Sequence, residues 1–328
     1  MEKRDRALDN VKWILTLLIV LFHIGYNGSG GTEKSIFMYM KNMGNCVVPA
    51  FALISGYLFW RNVNSLDSVK NKMQRRVLTL VVPYMAWNII NTIYVNVLNC
   101  IKINRFDKTI FDLNIYDDVI MWNSSPHLWY MFMLIFWMIL SPILFYIFKS
   151  KILTILFLGI QMIFILYRGK SILYSELIYM IYIWGGVIGQ KKPDLVNSIE
   201  NLKQNQKLLI SLISAFVFLA LGIVTTLQEI PTMYLIWIVA FRSIALIFAI
   251  IFFPLLIVGS KSQYKYSFWV YAVHYWLDYT LASYIGRFTD GILYQFITWS
   301  SVIIISLSIG WLTNRFMPKL FKILTGNR

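Results

Sequence analysis

One apolar helix near the start of the sequence carries a line of polar residues. His23 follows Lys12 by eleven residues, and at about 100° per residue this step returns to within about 20° of the same helix face. Asp9 and Thr16 fall close to that face. An imidazole can serve as a general base or a nucleophile, but a lone histidine can also be a structural hydrogen-bonding residue. The spacing predicts a polar track with His23 about 16 Å from Lys12.

Three further ionisable residues fall within later apolar segments, where charge is costly and usually faces a cavity or a partner. His274 and Asp278 are four residues apart, hence on one helix face. The Asp278 carboxylate could orient that imidazole or pair with Arg242, and a structural charge pair is the favoured interpretation. His127 adjoins a tryptophan and a tyrosine, which is typical of an aromatic belt at the membrane surface rather than of chemistry.

A basic cluster precedes one of the long apolar segments and contains Lys70, Lys72, Arg75 and Arg76. Such a cluster can be a topology signal or a patch for anionic lipid headgroups. It can also grip phosphate, because guanidinium groups bind phosphate oxygens in bidentate fashion. Composition alone leaves both interpretations open.

The elements that must position these residues are membrane helices. Of the 328 residues, 58% are hydrophobic and 14% are charged, against about 25% charged in soluble domains. The apolar runs are too long for barrel strands. The sequence therefore predicts an all-α bundle, a single membrane-embedded domain over residues 1–328. Its ten predicted transmembrane helices span residues 11–26, 46–60, 77–99, 128–148, 152–167, 172–189, 208–227, 232–258, 267–286 and 292–314.

The loop charges predict the orientation of the bundle. If the N-terminus is cytoplasmic, 21 of the 30 lysines and arginines fall in inner segments and 8 in outer loops. This bias predicts that both termini are cytoplasmic. It also explains the formal charge of +15 without a nucleic-acid partner. Cys46 and Cys100 lie in or beside apolar runs, so neither a disulfide framework nor a metal site is predicted.

Several short motifs, in this order, resemble the acyltransferase-3 family of membrane acyltransferases, which typically have ten helices and modify cell-surface sugars. The resemblance covers nearly the whole chain. The motifs are Leu8-Asp9-Asn10-Val11-Lys12 with His23, Pro49-Ala50-Phe51, Ser55-Gly56-Tyr57-Leu58, Arg75-Arg76-Val77-Leu78, Pro83-Tyr84, His127-Leu128-Trp129-Tyr130 and Tyr271-Ala272-Val273-His274.

The resemblance implies a donor and a mechanism. Acetyl-coenzyme A, or another acyl-coenzyme A, would bind from the cytoplasm with its anionic part held by Lys12, Arg75 and Arg76. His23 would act as general base for an acceptor hydroxyl or accept the acyl group transiently. The polar interior expected to support this chemistry comprises Asp9, His127, Arg242, His274 and Asp278.

The same resemblance implies a carbohydrate acceptor. The apolar composition predicts a lipid environment, and a composition rich in isoleucine, lysine and asparagine indicates a bacterium, so a bacterial plasma membrane is expected. The family usually has arginine where this chain has Lys12, which keeps the charge but loses the two-pronged donor geometry. No esterase-like extracytoplasmic domain is expected, so a separate protein could complete the transfer. An exporter of polysaccharide or lipid-linked sugar is the alternative, although no paired repeat with interrupted helices is evident.

Overall fold

The computed structural model describes residues 6–28, 31–103, 115–121, 125–168, 174–227, 232–252 and 261–327. Every secondary-structure element among them is helical, as the sequence predicts. The predicted helical residues 172–173 and 253–258 lie outside the described part of the chain. The α-helices are α1 (Arg6–His23), α2 (Thr32–Gly44), α3 (Val47–Trp60), α4 (Leu66–Arg76), α5 (Val82–Ile103), α6 (Trp129–Ile139), α7 (Ser141–Lys149), α8 (Lys151–Arg168), α9 (Tyr174–Lys191), α10 (Leu195–Glu200), α11 (Gln204–Leu227), α12 (Thr232–Phe252), α13 (Lys261–Tyr264), α14 (Ser267–Ile285), α15 (Gly291–Phe316) and α16 (Pro318–Thr325), with π-helical segments at Val77–Val81 and Ile115–Ile120 and a 3-10 turn at Pro126–Leu128.

Helices α3 and α9 approach until their backbones touch. A Cβ added to Gly56 would collide with the carbonyl of Tyr182, and one added to Gly185 would collide with that of Leu53. Small residues permit such close packing between membrane helices. In lipid, helix association is driven by van der Waals packing rather than by the hydrophobic effect. Large buried aromatic residues fill the core around this pair. The two helices therefore form a dense wall.

Helix α1 is fixed on two sides. Leu8 and Leu15 are buried in a cluster with residues of α3, and Trp13 is buried in a second cluster with residues of α14 and α15. The indole of Trp299, on α15, donates a hydrogen bond of 2.9 Å to the carbonyl of Leu17. With these two sides occupied by apolar packing, the polar residues of α1 face a third direction.

Four helical stretches among the described residues are long and apolar enough to cross a membrane, and one bent helix pair would make a fifth. The ten predicted spans and the orientation of the termini therefore stay predictions. Helices such as α1 and α14 carry charged or polar side chains that lower their hydropathy. The four stretches are Thr32–Trp60, Leu66–Leu98, Gln204–Thr225 and Gly291–Phe316.

The predicted helix over residues 128–148 is wrong as a single element. The chain bends by 62° between Pro126–Ile139 and Ser141–Lys149. Pro142 has no amide hydrogen to donate to the carbonyl four residues earlier, which belongs to Met138. The Ser141 hydroxyl donates to that carbonyl instead, at 2.6 Å. The hydropathy of the segment is continuous, so only the proline marks the break.

The stretch between the first two predicted helices, residues 27–45, is not merely a connecting loop. It contains α2, and a short turn then leads directly into α3. Lys34 and Lys41, which the sequence assigns to an outer loop, both lie on α2. Their charges lower the hydropathy of the segment, so a search for apolar runs misses this helix.

The third predicted span, over residues 77–99, extends further toward the N-terminus than expected. The polar helix α4 precedes it, with Ser65 and Ser68 forming a reciprocal capping box at its start. The π-helical segment then joins α4 to α5. π-helical turns, which are wider than α-helical turns, are rare in proteins. Those that do occur are often found at functional sites. The predicted basic segment is therefore a helix, so its side chains point in different directions.

Candidate functional site

A cavity of about 420 Å³ lies beside the polar face of α1. This volume is in the range of small-molecule sites. Its walls come from α1, α3, the end of α4, the π-helical segment, α6 and the α13–α14 region. The lining residues are Asp9, Lys12, Thr16, Ile19, His23, Val48, Phe51, Ser55, Leu58, Arg76, Leu80, His127, Trp129, Tyr130, Met131, Leu134, Tyr264, Ser267, Phe268 and Tyr271.

The polar track predicted on α1 forms one side of this cavity. The Lys12 ammonium lies 2.7 Å from the Asp9 carboxylate, so the two charges largely offset each other. Thr16 accompanies them, with its hydroxyl 2.7 Å from that of Ser267 on α14. His23 lies further along the same face. A ligand in the cavity would therefore contact α1 along its polar side.

The structure divides the predicted basic cluster. Arg76 lines the cavity, whereas Arg75 is exposed and is not among the lining residues. The Lys72 ammonium donates to the backbone carbonyls of Phe59 and Arg61 at the end of α3. This contact satisfies carbonyls that the last helical turn leaves open. Of the four basic residues, Arg76 alone borders the cavity.

His23 lies at the opposite end of the polar track from Lys12. Its Nδ1 is 2.9 Å from the carbonyl of Ile19 on the same helix. A carbonyl can only accept, so Nδ1 carries the hydrogen in the neutral ring and Nε2 carries a lone pair. The side chain is accessible because it borders the cavity. His23 can therefore accept a proton or attack a carbonyl carbon through Nε2.

The three histidines of the chain come from distant segments and converge at this end of the cavity. The ring centroids of His23 and His274 are 5.0 Å apart, and those of His127 and His274 are 5.4 Å apart. Both His127 and His274 are buried, and His127 stacks on Tyr275 at 5.1 Å. The expectation that His127 belongs to an aromatic belt at the membrane surface is therefore wrong.

Backbone hydrogen bonds set the orientation of the two buried rings. His127 donates from Nε2 to the carbonyl of Ala272 at 3.0 Å. His274 donates from Nδ1 to the carbonyl of Tyr271 at 2.6 Å. The Tyr271 hydroxyl in turn donates to the carbonyl of His127. The turn that carries His127 is thus tied to the first half of α14.

Arg242 and Asp278 are not among the residues that line the cavity. The Arg242 guanidinium donates to the carbonyl of Asn42 at 3.3 Å and lies 5.1 Å from the centroid of the Phe218 ring. Asp278 makes no ion pair within the described part of the chain, and its Oδ1 is buried without a hydrogen-bond partner. The predicted Arg242–Asp278 pair is therefore wrong, because Arg242 is directed toward α2 and α11.

Sequence reasoning did not single out three polar side chains of the cavity wall, those of Ser55, Tyr130 and Tyr271. The hydroxyls of Ser55 and Tyr130 are 2.9 Å apart and join α3 to α6. Tyr271 also lines the cavity. All three residues lie within the short motifs quoted from the sequence, and these motifs were the one indication that could have identified them. Their proximity depends on helix packing and has no pattern along the chain.

Residues 5–315 match the model of a family described as an acyltransferase domain, acyltransferase-3, which covers nearly the whole chain. Neither the curated proteins nor the solved structures include a match to this chain.

Proposed function

The chain belongs to the acyltransferase-3 family, and we propose that it transfers an acyl group from acyl-coenzyme A to a carbohydrate hydroxyl. A membrane acyltransferase is what the family and the apolar helices indicate together. The proposal adds the identity of the donor, acyl-coenzyme A, and that of the acceptor, a carbohydrate hydroxyl. One observation carries it: the same cavity is lined by the cationic side chains of Arg76 and Lys12 and by the accessible imidazole of His23.

The cationic end suits the anionic part of the donor. Arg76 has a planar guanidinium that can bind phosphate oxygens in bidentate fashion. Lys12 adds a second cation, but its charge is already offset by Asp9. We therefore assign Arg76 the larger share of phosphate binding and Lys12 a smaller one. Arg75, being exposed and outside the cavity wall, has no such support.

The chemistry occurs at the other end, where His23 would act as general base. The acceptor hydroxyl oxygen attacks the thioester carbonyl carbon while Nε2 of His23 takes the hydroxyl proton. The tetrahedral intermediate then expels the thiolate. His23 returns the proton to that sulfur, so the products are an ester and coenzyme A. The apolar part of the cavity wall would hold the pantetheine arm and exclude water.

The acceptor is proposed to be a cell-surface or lipid-linked carbohydrate, with acetyl as the acyl group. We place the protein in a bacterial plasma membrane, with the donor entering from the cytoplasm. A separate extracytoplasmic protein could carry the product onward. These assignments rest on the family and on the charge pattern of the loops.

The experiment supplies acetyl-coenzyme A and a mixture of bacterial cell-surface glycans to purified protein and measures release of the coenzyme A thiol. His23→Asn is the informative variant, because the asparagine amide can still donate to the Ile19 carbonyl while Nε2 is lost. We expect its rate to fall by roughly 10²–10⁴-fold. Unchanged size-exclusion behaviour and melting temperature would show that the fold survives.

Full activity in His23→Asn would remove His23 from the mechanism. A wild-type protein that binds no coenzyme A would remove the enzyme proposal. In that case, sugar uptake by vesicles containing the protein would test the exporter alternative.

A further inference from the structure

Among the residues that the structure describes, two buried ring nitrogens of the histidine cluster have no hydrogen-bond partner. They are Nδ1 of His127 and Nε2 of His274. The other nitrogen of each ring donates to a backbone carbonyl, so the unpartnered nitrogens carry lone pairs in the neutral rings. Burying such an acceptor without a donor destabilises a protein. One of the two rings, that of His274, contacts the candidate base His23, and the other contacts His274, so their unpartnered nitrogens need an explanation.

These lone pairs are not arranged for a metal ion. Within the described residues, no group of three histidine, cysteine, aspartate or glutamate side chains could hold one. Nor can a substrate in the cavity reach them, because both atoms are almost completely inaccessible. What they can influence is the neighbouring His23 ring. That ring meets His274 edge to face at 5.0 Å, with 75° between the ring planes.

We propose that His274, supported by His127, is a positioning residue that stabilises the protonated form of His23 during acyl transfer. The proposal rests on the function proposed above. An unprotonated Nε2 places partial negative charge beside a ring that becomes positive when it takes the acceptor's proton. Backbone donation from Nδ1 to Tyr271 holds His274 in this tautomer.

The proton balance of the reaction is unchanged by this arrangement. The proton leaves the acceptor hydroxyl, resides on His23 during the tetrahedral intermediate and ends on the sulfur of coenzyme A. His274 and His127 stay neutral throughout, because a second imidazolium so close to the first would be repelled. His274 touches neither substrate and acts only through His23.

Other titratable groups surround the cluster and must be considered in any pH experiment. Tyr271 and Tyr275 of α14 contact the histidine rings, and Asp278 lies one turn beyond His274. Lys41 of α2 adds a positive charge to the surroundings of His23. At the other end of the track, the charges of Lys12 and Asp9 offset each other.

The test compares two substitutions of one residue. His274→Asn can keep the donor to Tyr271 but lacks the acceptor at the Nε2 position, whereas His274→Gln places an amide oxygen near that position. Because the chain has three histidines, nitrogen-15 NMR of histidine-labelled protein in detergent can resolve each ring. The titration of His23 is then followed directly, with no need for an acceptor substrate.

We expect the titration midpoint of His23 to move to lower pH by about one unit in His274→Asn, and by less in His274→Gln. The acidic limb of the kcat profile should move in the same direction, because the base then stays neutral to lower pH. We expect kcat to fall about tenfold, with the KM for acyl-coenzyme A unchanged.

An unmoved midpoint in His274→Asn would overturn the proposal and leave His274 a packing residue. A wild-type protein without acyl transfer would instead overturn the proposed function, while the NMR midpoints would still show whether His274 acts on His23. His127→Gln, which can keep the donor to Ala272, should shift the midpoint less, because His127 contacts His274. A larger shift there than in His274→Asn would contradict the assigned order.

Discussion

Two helix pairs of the bundle pack in contrasting ways. In the α3–α9 pair the backbones touch at Gly56 and Gly185, and the surrounding core is aromatic and aliphatic. Between α1 and α14, polar side chains meet instead: Thr16 bonds Ser267, and the ring of His23 contacts that of His274. The first pair can be dense because it need not admit a ligand. The second borders the cavity and carries buried polar groups on both helices.

The sharpest way to break the dense pair is to add one methyl group. Gly185→Ala places a Cβ against the backbone of Leu53, and backbone cannot move aside as a flexible side chain can. We expect the free energy of unfolding to fall by about 2–3 kcal/mol, measured by thermal or denaturant unfolding in detergent. Activity per folded molecule should change little.

The matched control is Gly159→Ala on α8, where an added Cβ meets no atom within 4 Å. Because alanine favours helix over glycine, this variant should be neutral or more stable by up to about 1 kcal/mol. Equal losses at the two glycines would mean that backbone contact is not what distinguishes the α3–α9 pair.

The next prediction concerns the cationic end of the cavity, where two adjacent arginines differ in position. Arg76→Ala should raise the KM for acyl-coenzyme A roughly 10–100-fold, because charge-assisted hydrogen bonds contribute about 1.5–3 kcal/mol. Arg75→Ala should change it less than about twofold, since exposed charges are screened. Steady-state kinetics or calorimetry with coenzyme A measures both. An equal effect of the two variants would return this segment to a topology or lipid-binding role.

The smallest expected effect is at Lys12, where the family usually has arginine. Lys12→Arg keeps both the charge and a partner for Asp9, so we expect the KM for acyl-coenzyme A to stay within about threefold of the wild type. Lys12→Met, which leaves Asp9 without its cation, should raise the KM further. If Lys12→Arg alone improved binding tenfold or more, Lys12 would be a principal phosphate contact.

Hydropathy predicted the helical class and most of the helices, because long apolar runs reflect the lipid environment directly. It missed α2, whose lysines interrupt the pattern, and it could not locate the bend at Pro142 from apolar residues alone. The helical period of α1 was sufficient to predict that Lys12 and His23 share a face. Helical periodicity is a property of one segment, so it can be read from the sequence without knowing which helices pack against α1.

The rest of the site depends on tertiary packing. His127 and His274 are 147 positions apart, and nothing along the chain indicates that their rings are in contact. Likewise, adjacent arginines on a helix point about 100° apart, but which of them faces a cavity depends on the phase of α4 against its neighbours. The predicted Arg242–Asp278 pair was wrong for the same reason. The sequence showed that both residues lie within apolar segments, but it did not show which way either side chain points.

The central claim is that acyl-coenzyme A occupies the cavity with its thioester beside His23. A coenzyme A analogue with a photoreactive acyl group tests this most directly, through mass-spectrometric mapping of the labelled peptides. The account predicts label on the cavity face of α1 near His23 or on residues 127–134, and its loss when excess coenzyme A competes. Label confined to lipid-facing helices such as α8 or α11, and insensitive to coenzyme A, would contradict it.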